Sequence, residues 1–147
     1  MEDKPVHIVR VFAGLSDGKP VHEELPAYKN SYGEYELLSS PGLALNLAKG
    51  DIVDLTFADK PAKILKRGGN FCIQIYGAEF SVENLEEFEE SIATVLSGSV
   101  DGIYKGNLAI SIPSGVGLEK INKFFDHFTK KLVLNGISPI YIKILKM

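Results

Sequence analysis

Residues 41–57 read PGLALNLAKGDIVDLTF, and this stretch is the most informative part of the chain about the fold. Gly50-Asp51 is a turn signal, and a strongly alternating run follows it over residues 51–58. Every second residue from Val53 to Phe57 is apolar and falls on one face, which is the pattern of a half-buried strand. The stretch predicts a strand and a barrel-like architecture, and it supplies no chemistry of its own.

Similar short strands fill the first half of the chain. Residues 43–47 form either a short strand or a single helical turn, and the sequence leaves both open. The other predicted strands cover residues 6–13, 21–29, 34–38, 51–58 and 62–65. Short strands at close spacing, separated by turns, are typical of a small barrel or sandwich. We therefore expect a small β-barrel-like subdomain over residues 1–68.

The pattern changes after residues 66–70, where long helices begin to alternate with strands. Asn84 is predicted to open the first helix, with Glu87 completing a capping box, and Ser97-Gly98-Ser99 to end it. The order strand, helix, strand, strand, helix, strand is that of a ferredoxin-like unit. The predicted fold is α+β, with a small N-terminal antiparallel barrel or sandwich packed on a ferredoxin-like βαββαβ subdomain over residues 69–147.

Composition restricts the class of protein. The net charge of −3 does not favour general binding to nucleic acid or to an anionic membrane. No apolar run reaches the roughly 18 residues that span a bilayer, and the N-terminus has no secretory signal, so we expect a cytoplasmic protein. The single cysteine, Cys72, lies in an apolar run and is predicted to be a core residue.

No catalytic or metal-binding pattern is recognisable. His7, His22 and His127 are far apart, and none has a partner at metal-ligand spacing. Asp51 and Asp54 lie three apart on a predicted strand and so point to opposite faces. The sequence therefore predicts no catalytic residue, no metal and no cofactor.

Charge is distributed unevenly over the two predicted helices. Acidic residues crowd the first, and lysines dominate the second: Glu83, Glu86, Glu87, Glu89 and Glu90 against Lys120, Lys123, Lys130 and Lys131. Two interpretations remain open. The helices carry solvated faces of opposite sign, or the first presents an acidic docking surface that steers a basic partner.

A resemblance extends over nearly the whole chain. The motifs that carry it stand in the same order as in a bacterial family of domains of unknown function: Asp17-Gly18-Lys19-Pro20, Glu24-Leu25-Pro26-Ala27, Tyr35-Glu36-Leu37, Ser40-Pro41-Gly42-Leu43-Ala44, Lys49-Gly50-Asp51-Ile52-Val53, Arg67-Gly68-Gly69-Asn70 and Leu118-Glu119-Lys120-Ile121. Some members of this family resemble toxin immunity proteins. The resemblance implies a small bacterial protein that neutralises a toxin, and it brings no catalytic residue.

The leading hypothesis is thus a non-enzymatic intracellular binding protein, an immunity protein for a cognate bacterial toxin such as a nuclease. Its predicted partner-binding residues are Glu83, Glu86, Glu87, Glu90, Tyr28, Tyr32 and Tyr35. The alternative is a small-ligand module or enzyme with its site between the two subdomains. A third hypothesis, binding of single-stranded nucleic acid, needs exposed aromatics beside basic residues. The sequence leaves the oligomeric state open.

Overall fold

The structure is a computed structural model that describes residues 4–77, 81–104, 107–134 and 141–145. The first half of the chain forms a five-stranded antiparallel sheet. Each strand pairs with the next one along the chain. The strands are β1 (His7–Ser16), β2 (Lys19–Lys29), β3 (Tyr35–Leu37), β4 (Ile52–Asp54) and β5 (Lys63–Lys66).

The second half forms a four-stranded antiparallel sheet with two helices. The elements follow the chain as β6 (Asn70–Tyr76), α1 (Val82–Leu96), β7 (Ser99–Tyr104), β8 (Asn107–Pro113), α2 (Leu118–Leu134) and β9 (Tyr141–Leu145). The strands lie in the order β7-β8-β6-β9, and a 3-10 turn at Ser114–Val116 leads into α2. The described residues therefore form a mixed α/β fold with two antiparallel sheets and two helices.

The predicted barrel is wrong, because the first sheet does not close. Among the described residues, β1 pairs within this sheet only with β2, and β5 pairs only with β4. A barrel needs tilted strands with pairing all the way round. Here β3 and β4 have only three residues each, and the chain leaves the sheet between them.

The strand predicted over residues 51–58 is shorter than expected. The Asp54 carboxylate accepts hydrogen bonds from the backbone N–H and the hydroxyl of Thr56, and this local turn ends β4. Val53 is fully buried as predicted, but Phe57 is 70% exposed. The alternating pattern predicts Val53 and Phe57 on one face of the strand, but the strand ends at Asp54 and Phe57 lies beyond it.

The connection between β3 and β4, residues 38–51, is here called the central segment. It contains no helix or strand, which answers the question left open for residues 43–47, and Asn46 has a left-handed φ of 64°. Ala44, Leu47 and Ala48 are buried, whereas Leu43 points outward. A buried irregular backbone needs partners for its polar groups, and side chains supply them, as described below.

Two hydrophobic cores organise these layers. One lies between the second sheet and the helices, where Ile73 and Ile110 of the sheet pack with Ile92 and Phe125. The other lies inside the first sheet, around Leu37. The middle of β6, residues 72–75, is buried because helices cover one of its faces and the central segment contacts the other.

Helix α1 begins earlier than the sequence predicted. Its N-cap is Ser81, whose side chain accepts a hydrogen bond of 3.1 Å from the N–H of Asn84. Asn84, the predicted cap, lies in the first turn instead. The predicted end is confirmed, since Ser97 is the C-cap with a left-handed φ of 54°.

The change from the first sheet to the second falls between Lys66 and Asn70, where the sequence predicted a boundary. The division into subdomains over residues 1–68 and 69–147 stays a prediction. Asn135-Gly136 in the sequence predicts the end of α2, but both residues lie outside the described ranges. Neither helix in the described ranges is long and apolar enough to cross a membrane.

Candidate functional site

Three carboxylates hold the central segment in place. Two belong to residues outside the segment, and one belongs to its last residue. The first is Glu23 on β2, which shares a strand face with the buried residues Leu25 and Ala27. Its carboxylate accepts hydrogen bonds from three successive backbone N–H groups, those of Gly42 (2.6 Å), Leu43 (2.9 Å) and Ala44 (3.0 Å). A carboxylate with several N–H donors is a strong, charge-assisted anchor.

The second carboxylate is Asp51, which is fully buried at the end of the segment. It accepts hydrogen bonds from the N–H groups of Ala48 (3.0 Å) and Gly68 (2.9 Å) and pairs with Arg67 at 3.0 Å. The same guanidinium donates to the backbone and side-chain oxygens of Asn46. Asp51 and Arg67 thus fasten the segment to the chain that leads into the second sheet.

The third carboxylate is Asp101 on β7. One of its oxygens accepts the N–H of Ser40 (2.8 Å) and the hydroxyl of Ser111, and the other accepts the hydroxyl of Ser99 (2.6 Å). The hydroxyls of Ser40 and Ser111 lie 2.6 Å apart. This network joins the start of the segment to the second sheet.

Donors on β6 satisfy carbonyl groups of the segment. The amide of buried Gln74 donates to the carbonyls of Pro41 and Ala44, each at 3.0 Å, and the hydroxyl of Tyr76 donates to that of Gly42 at 3.3 Å. The thiol of Cys72 lies 3.4 Å from the Pro41 carbonyl. Every buried side-chain nitrogen or oxygen in the described part of the chain has a partner.

A cavity of about 550 Å³ opens beside this segment and is here called the inter-sheet cavity. It lies between β2, the start of the segment and the β7–β8 pair. Its lining combines apolar side chains with three carboxylates: Glu23, Glu24, Leu25, Pro26, Ser39, Ser40, Gly42, Leu43, Asp101, Gly102, Ile103, Asn107 and Ala109. Mixed lining of this kind, with few polar groups among apolar ones, is typical of small-ligand sites.

A second concavity of about 370 Å³, here called the helix groove, lies between α1 and α2. Phe88, Phe124 and Phe128 form its aromatic floor, with the rings of Phe88 and Phe128 4.5 Å apart. Glu87 on one rim and Lys131 on the other form an ion pair at 3.5 Å. Apolar floor and charged rim together resemble the anatomy of a protein interface.

The predicted glutamates all lie on the exposed surface of α1. Glu83, Glu86, Glu87 and Glu90 are exposed, as is Glu89 beside them. The helix contains no basic residue. Stepping the residues of α2 at ~100° each predicts that His127 lies roughly opposite the apolar stripe of this helix, and the structure shows His127 exposed at the helix groove.

The predicted tyrosines lie on the first sheet, and no described contact joins them to α1. Tyr32 is 85% exposed in the turn after β2. Tyr28 and Tyr35 are half-buried, with the ammonium groups of Lys4 and Lys29 5.5 Å and 5.8 Å from their ring centres. The choice of these tyrosines and of the α1 glutamates as partner-binding residues stays a prediction.

The other chemically interesting side chains have local partners. His22 accepts a hydrogen bond from Arg10 (3.1 Å) and lies within 3.0 Å of the Ala58 carbonyl and the Asp59 carboxylate. Burial raises the pKa of the Cys72 thiol to about 12, so this thiol is not an activated nucleophile. Within the described ranges, no three His, Cys, Asp or Glu side chains form a group that could hold a metal ion.

Residues 23–135 match the sequence family described as Domain of unknown function (DUF4265), well over half of the chain. The chain belongs to this family. Both concavities of this DUF4265 domain fall inside the matched range. The family description names no activity, so the link to toxin immunity proteins stays a prediction.

A solved structure supports the fold of this DUF4265 domain. It is a hypothetical protein from Neisseria gonorrhoeae, 21% identical, with a TM-score of 0.60 over 97% of this chain and 94% of that one. At this identity the likeness concerns the fold alone. No curated protein matches the chain.

Sequence reasoning missed the role of Glu23 and the cavity beside it. One signal was present, because strand alternation places Glu23 on the same face as Leu25 and Ala27. A carboxylate on the apolar face of a strand needs donors. The sequence does not show which groups donate to Glu23, because these donors lie 19 to 21 residues further along the chain.

Proposed function

We propose that this chain is a non-enzymatic binding protein of the bacterial cytoplasm that neutralises a cognate toxin as an immunity protein. One observation carries the proposal: α1 has an acidic exposed face, and one of its glutamates, Glu87, also lines the apolar helix groove. The toxin as partner comes from the resemblance of the sequence.

The charge of α1 supports a basic partner. Five glutamates occur within its 15 residues, and none is balanced by a basic residue of the same helix. Among the described residues, only Glu87 of the five forms an ion pair. Glu83, Glu86 and Glu90 recur at helical spacing and share the outer face, so their fields add. Such a face accelerates the approach of a positively charged protein.

The helix groove supplies the apolar part of the interface. Aromatic anchors in desolvated pockets contribute most of the binding energy in protein complexes. The floor of Phe88, Phe124 and Phe128 can receive such an anchor, and the exposed side chain of Val95 extends the apolar area. The proposed occupant is a basic surface of the toxin with one apolar side chain in the groove.

A nuclease is the toxin class that fits this surface best. Nucleases bind the phosphate backbone through Lys and Arg, so their active sites are basic. An acidic helix placed over such a site blocks it without any chemistry of its own. The proposal therefore needs no catalytic residue in this chain.

The finer fold assignment belongs to the same proposal. We assign the second half of the chain to the ferredoxin-like class. The element order along residues 70–145 and the strand order β7-β8-β6-β9 support this assignment. In that class both helices lie on one face of the sheet, which places α1 and α2 side by side.

A toxin-challenge assay tests the proposal. The toxin encoded beside this gene is expressed in a sensitive strain together with the wild-type chain or with the double variant Glu86→Lys/Glu90→Lys. Wild type is expected to restore growth and the double variant to fail, because two repulsive charges replace two attractive ones.

The matched control is Glu24→Lys/Glu36→Lys, which makes the same change of charge at two exposed positions on the first sheet. It is expected to protect like wild type. Equal protection by both double variants, or no protection by wild type, overturns the proposal.

A further inference from the structure

The inter-sheet cavity is a separate feature, and it does not depend on the acidic helix. Its apolar wall includes Leu25, Pro26 and Ala109, and Leu43 and Ile103 stand at its edge with about half of their surface exposed. At about 550 Å³ it lies within the usual range for small-molecule sites.

Two glycines keep the cavity open. Gly42 and Gly102 both line it, and neither has a φ in the left-handed region. A Cβ at Gly102 would meet only the Ala109 side chain, at 3.9 Å, and a Cβ at Gly42 would meet nothing closer than 3.7 Å. Backbone conformation and close packing therefore do not demand glycine at either position. What the missing side chains provide is space.

Among the residues that the structure describes, the charge lining the cavity has one sign. They include three carboxylates, those of Glu23, Glu24 and Asp101, and no lysine, arginine or histidine. None of the three forms an ion pair within the described part of the chain. The groups that donate to Glu23 and Asp101 are neutral backbone N–H and hydroxyl groups.

The carboxylates retain capacity for a further donor. An ionised carboxylate has about four acceptor sites. Glu23 and Asp101 each accept three hydrogen bonds, and Glu24 is exposed at the mouth. An ammonium or guanidinium group fits this arrangement because it offers several donors and neutralises the charge.

We propose that the inter-sheet cavity binds a small organic cation, a compound with one ammonium or guanidinium group on an apolar body. The body lies against Leu25, Pro26, Leu43 and Ile103. The cationic group lies near the carboxylates of Glu24 and Asp101. This site is distinct from the proposed toxin surface on α1.

Three indole compounds of nearly equal shape test the charge requirement. Tryptamine is cationic, tryptophol is neutral and indole-3-propionate is anionic. Each is titrated into the full chain, with isothermal calorimetry for affinity and two-dimensional NMR for location. Tryptamine is expected to bind with a Kd of about 1 mM or tighter, at least about tenfold more tightly than the other two. Its shifts are expected at Leu25, Ser39 and Ile103.

Variants test the location. Gly102→Leu fills the cavity without left-handed strain and is expected to weaken tryptamine binding at least about tenfold, whereas Glu24→Gln weakens it severalfold. The control is Gly115→Leu, since Gly115 also has an ordinary φ and open space around it but lies outside the cavity. It is expected to bind like wild type.

Three results overturn the proposal. They are no tryptamine binding, equal binding of the three compounds, and tryptamine shifts confined to the helix groove. Each leaves the toxin proposal untouched, because the growth assay does not involve these compounds.

Discussion

The guanidinium of Arg67 lies 3.0 Å from the carboxylate of Asp51, which is fully buried, while about a third of the Arg67 side chain remains exposed. The pair joins the end of the central segment to the chain between the two sheets. Asp51 also accepts two backbone N–H groups, so its charge has three partners. The position of the central segment, and with it the inter-sheet cavity, depends on this carboxylate.

Removing the Asp51 carboxylate is expected to destabilise the fold strongly. Asp51→Ala leaves two backbone N–H groups without their acceptor and removes the ion pair with Arg67, which costs about 3 kcal/mol. Urea unfolding measures the loss. Asp59→Ala is the control, because Asp59 is an exposed partner of His22 and its removal costs about 1 kcal/mol or less. Equal losses for the two variants would contradict the role assigned to Asp51.

Gly68 is predicted to tolerate no side chain. A Cβ there would lie 2.2 Å from the carbonyl carbon of Gly50, so the two backbones would have to separate. Gly68→Ala is therefore expected to lower the free energy of unfolding by about 2 kcal/mol. Gly115→Ala introduces the same methyl group into open space and serves as the control. A stable Gly68→Ala protein with an unchanged melting temperature would refute the close approach.

Glu23 is predicted to act as a structural acceptor through its negative charge. In Glu23→Gln one acceptor oxygen is replaced by an amide donor, which faces N–H groups of the segment. The expected loss is about 2 kcal/mol. Glu24→Gln makes the same change at the neighbouring, exposed residue and is expected to leave stability within about 0.5 kcal/mol of wild type. Thermal unfolding of Glu23→Gln and Glu24→Gln measures the two losses of stability, and equal losses would contradict the structural role of Glu23.

The Cys72 thiol is predicted to be unreactive in the folded protein. Burial raises its pKa to about 12 from an ordinary value of 9.0. A thiol reagent at pH 8 is expected to label the denatured chain quickly and the native chain only as fast as it unfolds. Rapid labelling of native protein would contradict the burial of this side chain.

The raised pKa of Cys72 also has a consequence for stability. The folded state holds the thiol proton more tightly than the unfolded state. The contribution of the protonated Cys72 thiol to the free energy of unfolding is therefore complete below pH 9, and it is lost as the pH rises towards about 12. The stability difference between wild type and Cys72→Ala is expected to shrink above pH 9, as measured by denaturant unfolding.

Elements with a strong local pattern could be predicted from the sequence. The helix α2 follows from apolar residues at three- and four-residue steps, namely Ile121, Phe125, Phe128 and Leu132, of which the first two and the last are buried. Strand β6 follows from its apolar run. The end of α1 at Ser97 could also be predicted, because the sequence Ser97-Gly98-Ser99 is a local stop signal for a helix.

Features that depend on distant contacts, or on a local hydrogen bond that interrupts a pattern, could not be predicted. Phe57 continues the alternation of β4, yet the hydrogen bonds between Asp54 and Thr56 turn the chain before it. The conformation of the central segment could not be predicted from its own sequence, because it depends on hydrogen bonds with Glu23, Gln74 and Asp101, which lie elsewhere in the chain. The same reason applies to the inter-sheet cavity, whose walls come from both sheets. By contrast, the exposure of the glutamates on α1 followed from helical periodicity alone.

Binding of a basic toxin to the acidic face of α1, as proposed above, can be measured in solution. The measurement is the Kd, by isothermal calorimetry, of the complex with the toxin encoded beside this gene, for wild type and for Glu86→Lys/Glu90→Lys. The account predicts a wild-type Kd tighter than about 1 µM and a double variant weakened at least about tenfold, with Glu24→Lys/Glu36→Lys unchanged. A wild-type Kd weaker than about 1 µM, or equal affinities for the two double variants, would contradict it.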